Sequence, residues 1–135
     1  MNYIVVDLHG TVIDKKNKPI PEAVQILKKL GEGYQIIFAS GRVYVNAKDM
    51  KKQRDQIKKL GISYAAILLA DNRWEDQNNE GKIKLQMVEQ YCGEDNKHQV
   101  SFFYDNNKKC CKYYHKKGYT YLKPKYTKHF LNLID

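Results

Sequence analysis

Residues 2–14, NYIVVDLHGTVID, open with a short β-branched and aromatic run, break at Asp7, and pass through Leu8-His9-Gly10-Thr11 before the chain turns. A run of this length and composition reads as a strand buried on both faces. The polar residues just past it then lie at the carboxyl end of that strand. The same pattern recurs along the chain. PEAVQILKKLG carries Ala23, Ile26, Leu27 and Leu30 at helical spacing, with Pro21 near its start and Gly31 as its stop. YQIIFA reads as a second strand, and NAKDMKKQRDQIKKLG as a helix burying Met50, Ile57 and Leu60 and closed by Gly61.

YAAILLA follows as a third strand, and KIKLQMVEQY as a helix with Ile83, Met87 and Tyr91 on one face. VSFFYD is a fourth strand, NKKCCKYYHKKG a basic helix ending at Gly118, YTYLKP a fifth strand, and KHFLNLID a terminal helix. Apolar strands alternating with helices predict a parallel sheet covered on both faces. The expected fold is therefore α/β, a Rossmann-like three-layer sandwich on a five-stranded parallel sheet.

The chain has 135 residues, enough for one sizeable core, and residues 1–135 are expected to form a single domain. No apolar run approaches the ~20 residues needed to span a bilayer, so no membrane partner is expected. Nothing at the N-terminus resembles a secretion signal. The three cysteines are odd in number and two are adjacent, Cys110 and Cys111, which argues against a disulfide framework and for a reducing, cytoplasmic setting. Lysine and arginine number 24 against 15 acids, a net charge of +9. Such a surface attracts polyanions, although a merely solubilising role accounts for charge alone equally well.

In open parallel sheets, ligands bind beyond the carboxyl ends of the strands. Those ends carry Asp7-Leu8-His9-Gly10-Thr11, Ser40-Gly41-Arg42 and Asp105-Asn106-Asn107. These clusters, with a lysine in the helix before the fourth strand, resemble the four motifs of the haloacid dehalogenase-like phosphatases. The resemblance makes Asp7 the nucleophile that accepts the phosphoryl group. It makes Ser40 the hydroxyl that bonds the phosphate, Lys84 (or, less favoured, Lys82) the neutralising lysine, and Asp105 the acid completing a magnesium site. Asp7, the His9 carbonyl, Asp105 and Asn106 are the implied metal ligands, with Mg2+ as cofactor, and Thr11 belongs to the first motif.

The chemistry asks for these residue types. A carboxylate can attack phosphorus and divide one hard step into two, but its charge must be brought beside a dianionic ester. Magnesium takes hard oxygens from a few carboxylates and keeps several waters, so two acids and a carbonyl suffice.

Two positions depart from the family pattern. His9 stands where a second aspartate is usual, and Asn106 where an acid is common. In the family that aspartate is the general acid and base, a role worth ~10²–10⁴ in rate. Histidine is itself a competent acid and base, so His9 leaves three readings open: a working phosphatase, a slow or altered phosphotransferase, or a phosphate-binding protein without turnover.

A narrower likeness is carried by EGYQIIFASGR, by an arginine after the third strand in LLADNRWED, and by KIKLQMVEQY. These resemble the 3′-phosphatase domain of phage-type polynucleotide kinase-phosphatases, and the likeness makes Gly41, Arg42 and Arg73 substrate contacts. No GxxxxGK[ST] motif occurs, so the kinase half is not expected. The intervals between motifs leave room for a flap, VIDKKNKP, but not for a cap domain. An open site suits the phosphorylated end of a nucleic acid, with a nucleotide or other small phosphomonoester as the alternative. Cys111 and His115 lie four apart on a helix but lack any zinc pattern, and His98, His115 and His129 are expected at the surface.

Overall fold

The computed structural model describes residues 2–74, 78–93 and 98–124. Five strands form one sheet: β1 (Tyr3–Val6), β2 (Gln35–Val43), β3 (Ala66–Ala70), β4 (Val100–Tyr104) and β5 (Tyr121–Leu122). Their order across the sheet is β3-β2-β1-β4-β5, and every pairing is parallel. Four α-helices connect them: α1 (Pro21–Leu30), α2 (Ala47–Lys58), α3 (Glu80–Cys92) and α4 (Lys108–Lys116). The fold is the α/β, Rossmann-like sandwich that the apolar pattern predicts.

Side chains alternate between two faces. Ile4, Val6 and Leu8 share one core with Ile36, Phe38, Ile67 and Leu69, and with Ala23, Ile26 and Leu27 of α1 and Ile57 of α2. Val5, Ile37, Ala39 and Phe103 face the opposite way, against Leu85 and Val88 of α3 and Cys110 and Tyr114 of α4. The chain thus builds outward from β1 to β3 over one face, then crosses back to β4 over the other. The strand order reverses at the β1/β4 pair, where such sheets open a crevice.

The helices start where local chemistry dictates. Pro21 occupies the first turn of α1, where its missing N–H costs nothing. Asn46, Asn79 and Asn107 cap α2, α3 and α4, each side-chain oxygen accepting an amide three residues on.

Several expectations need correction. Strand β2 runs on to Val43, so Ser40-Gly41-Arg42 belongs to the strand. Its pairing with β3 is irregular there, stepping from Ser40–Leu69 to Val43–Ala70. Tyr91 is 45% exposed, and its ring meets that of Tyr3 edge-on at 6.2 Å; the buried face of α3 holds Gly81, Lys84, Leu85 and Val88 beside Ile83 and Met87. Met50 and Leu30 are only partly buried at the margin of the first core. The fifth strand pairs over Tyr121–Leu122 alone. The expected terminal helix and His129 lie outside the described residues. Among the described residues no helix is long and apolar enough to cross a membrane.

Candidate active site

The register that sets Val6 beside Tyr104 continues one residue further. The Asp7 amide donates to the Tyr104 carbonyl at 3.0 Å, and the Asp105 amide to the Leu122 carbonyl at 3.1 Å. Two carboxylates therefore leave adjacent strand ends. Lys84, from the inner face of α3, reaches both: its Nζ lies 2.7 Å from Asp7 Oδ1 and 2.8 Å from Asp105 Oδ2. Relative exposure is 9% for Asp7, 2% for Lys84 and 1% for Asp105. Lys82 is exposed and its backbone amide is engaged at the Asn79 cap, so Lys84 is the lysine at the carboxylates.

Each acid has further donors. Thr11 Oγ1 donates to Asp7 Oδ2 at 2.9 Å and accepts the Asn106 amide at 3.1 Å, tying the first strand-end loop to the last. Asp105 Oδ1 accepts the Asn107 amide at 2.9 Å, and Oδ2 accepts the Tyr114 hydroxyl at 2.8 Å. Cys110 Sγ packs 3.7 Å from Lys84 Nζ. Sequence reasoning missed both Tyr114 and Cys110. They sit on the basic helix after β4, where tyrosine and cysteine read as ordinary packing residues.

Burial pushes the Asp7 carboxyl up from its ordinary 3.8 to about 6, although Lys84 pulls it back down. Burial works the other way on Lys84 and is outweighed by Asp7 and Asp105, so the ammonium stays charged, held above its ordinary 10.5. Burial thus wins at Asp7, and the two neighbouring carboxylates win at Lys84. Burial and the neighbouring Asp105 also raise the Tyr114 phenol well above 10, so it remains a hydrogen-bond donor.

A family model of the haloacid dehalogenase-like hydrolases matches residues 4–135. The chain belongs to this haloacid dehalogenase-like hydrolase family. A search of curated proteins found no match.

The other residues singled out in the sequence of this haloacid dehalogenase-like hydrolase are distributed around the carboxylates. His9 is half-buried, and its Nε2 lies 3.0 Å from Asn17 Oδ1, on the hairpin formed by residues 13–19. With Oδ1 as acceptor, Nε2 carries the hydrogen and Nδ1 is the nitrogen that titrates. Burial and then the charge of Arg42 lower the imidazole below its ordinary 6.5, opposed by the Asn17 bond. Ser40 is buried, and its Oγ accepts the Arg42 amide at 3.3 Å. Gly41 marks the contact of β2 with the first turn of α3. A Cβ there would stand 2.6 Å from the Glu80 carbonyl oxygen, so its place is set by steric fit.

Arg42 is exposed and lines a cleft with Asn17 and Tyr44. Arg73 is not brought to the carboxylates by any described contact; its Nε pairs with Asp71 at 2.9 Å, with 80% of its side chain exposed. The surface expectation holds for His98 and His115, both exposed. Among the described residues, no group of three or more His, Cys, Asp and Glu side chains that could hold a metal ion is present.

A hard divalent cation fits the carboxylate site on different grounds. Asp7 and Asp105 are all-oxygen donors with one more negative charge than Lys84 offsets, and magnesium needs few protein ligands. The amides of Thr11, Val12 and Ile13 all donate to the Leu8 carbonyl. Among the described residues no backbone amide of this loop goes to the His9 carbonyl, which leaves that oxygen for a cation. Asn106 is turned differently, its side-chain amide donating to the Gly10 carbonyl at 3.2 Å. Its nitrogen closes the loop, and only its oxygen remains for a metal-bound water.

Proposed function

We propose that this hydrolase removes phosphate from phosphomonoesters through an aspartyl-phosphate on Asp7, with magnesium as cofactor and nucleic-acid 3′-ends as substrate. The observation that carries the reading is the buried Asp7–Lys84–Asp105 constellation at the β1/β4 reversal. A carboxylate beside an ammonium, with a second acid one strand away, is what nucleophilic attack on a phosphate dianion requires. Magnesium held by Asp7, Asp105 and the His9 carbonyl would supply the positive charge that lets two anions approach.

An Asp7 oxygen attacks phosphorus as the ester oxygen leaves, and that oxygen takes a proton from His9. Water, giving its proton to His9, then cleaves the phosphorus–oxygen bond to Asp7, which regains its carboxylate as phosphate departs. Lys84 neutralises phosphoryl oxygens, and Ser40 donates a hydrogen bond to one of them. Asp7, at about 6, is mostly ionised at neutral pH.

The 3′-end assignment rests on the likeness of EGYQIIFASGR to phage-type polynucleotide 3′-phosphatases and on exposed Arg42, whose charge acts on His9. Arg73, whose Nε pairs with Asp71 while 80% of its side chain stays exposed, is the further substrate contact that the same likeness implies. We read residues 1–135 as one uncapped domain, and the free thiols Cys92, Cys110 and Cys111 as fitting the cytoplasm.

A second reading, a phosphate-binding protein without turnover, draws on the His9 ring being tied to Asn17. Phosphate release from 3′-phosphorylated, 5′-phosphorylated and mononucleotide substrates, with and without magnesium, separates the readings. Release from the 3′-phosphorylated oligomer in preference to the others supports the proposal. Equal use of mononucleotides points to a small-molecule enzyme, and no release from any of them to a binder.

A further inference from the structure

Two surface hollows along α2 share part of their lining. A cleft of about 260 Å³ is lined by Asn17, Arg42 and Tyr44, among others, and shares Asp49, Lys52 and Gln56 with a longer trough of about 750 Å³ along α2. Lys48, Lys51, Lys52 and Lys59 line that trough. Their spacing of three or four residues, then seven, places them along one stripe of the helix.

From Lys48 to Lys59 the stripe extends on the order of 16 Å at 1.5 Å per residue. All four lysines are exposed. The acids interspersed among them do not cancel their charge. Asp49 is held at the helix start, its Oδ2 accepting the Asn46 side-chain amide at 3.1 Å, and Asp55 is the other acid of the trough. Within the cleft, Val45 presents an apolar side chain that is 70% exposed.

We infer that this groove is the track of a single-stranded nucleic acid, its phosphates along the lysines of α2 and a base on Val45, leading away from a 3′-end held at Arg42. An elongated, open, basic channel reaching Arg42 and Asn17, the partner of His9, fits a backbone read by charge, and offers no ring of donors and acceptors to enclose a small molecule. The inference rests on the nucleic-acid reading of the site and extends it to a specific surface. The lysines implicated lie on α2, whereas the charge imbalance visible in the sequence is greatest beyond Lys97.

The test is fluorescence anisotropy of 5′-labelled oligothymidylates bearing a 3′-phosphate, from two to eight nucleotides long, binding in EDTA. The parent is compared with a Lys48→Glu/Lys51→Glu/Lys59→Glu variant and with Asp55→Lys. In the parent, affinity should rise with length and fall with salt, with a log–log slope of about −0.7 per phosphate contacted.

The triple variant should lose the length dependence and bind the longest oligomer at least ~10-fold more weakly, with a shallower slope. Asp55→Lys should bind it more tightly, which keeps the test decisive even if the triple variant folds poorly. Unaltered length dependence in the triple variant, together with no tightening in Asp55→Lys, overturns the inference. So does a parent that binds poly-glutamate but no oligonucleotide. Because binding is read without turnover, a protein that binds by length yet releases no phosphate keeps the groove and loses the phosphatase. One that releases phosphate without length dependence does the reverse.

Discussion

Replacing Asp7 by Asn should make the metal-free protein more stable. In the unfolded chain this carboxyl titrates near its ordinary 3.8, and in the folded protein burial raises it to about 6. The folded state therefore holds its proton more tightly, and folding loses stability as pH climbs from about 4 through about 6. At 1.36 kcal/mol per pH unit, the interval from 3.8 to about 6 is a cost of about 3 kcal/mol, fully present only above pH ~7. The replacing amide is uncharged at every pH and nearly isosteric, and it leaves Lys84 paired with Asp105. The variant should gain up to about 3 kcal/mol at pH 8 in EDTA, roughly 10 °C in melting temperature for a chain of this size. At pH 5 only about half of that gain should remain. Urea titrations at both pH values measure it. A variant less stable than the parent at pH 8, or a gain that does not change with pH, refutes the idea that Asp7 is a buried charge short of a counter-cation.

Three further outcomes follow from the same geometry. Gly41→Ala places a methyl group 2.6 Å from backbone and side-chain atoms of Glu80 and should destabilise the fold by about 1–3 kcal/mol, read as a lowered urea midpoint; an unchanged midpoint would show that β2 and α3 separate easily there. His9→Ala should lower steady-state turnover by ~10²-fold or more while His9→Asp keeps or raises it, and an undiminished His9→Ala would make the histidine a structural occupant. Cys110, buried and with its thiol raised to about 12, should have only ~10⁻⁴ thiolate at pH 8. Iodoacetamide should therefore modify the partly exposed Cys92 first, and peptide mapping that finds equally fast labelling of Cys110 would contradict its placement beside Lys84.

The apolar runs announced the sheet because strands buried on both faces must be apolar throughout, and β1 to β4 obey that rule. The site was legible at its two carboxylates because these depend on strand ends: Asp7 follows directly on β1 and Asp105 on β4, whereas Ser40 lies within β2. It was illegible where it depends on packing between helices. Whether Lys82 or Lys84 reached the carboxylates turned on which side of α3 met the sheet. KIKLQMVEQY, apolar at Ile83 and Met87 and again at Leu85 and Val88, marks no single inner face. Tyr114 came to Asp105 through the docking of α4 under β4, which nothing in KKCCKYYHK specifies. Arg73 follows β3 as the motif has it, and nothing in the sequence signalled that its Nε would pair with Asp71 two residues away.

The central claim is that Asp7 takes the phosphoryl group from a nucleic-acid 3′-end. Rapid acid quenching of the protein with magnesium and an oligonucleotide carrying radiolabelled 3′-phosphate, followed by peptide mapping, tests it most directly. The account predicts phosphate release by the parent, hydroxylamine-labile label on the peptide containing Asp7, and neither label nor release in Asp7→Asn. Release of phosphate by Asp7→Asn at the rate of the parent would contradict it.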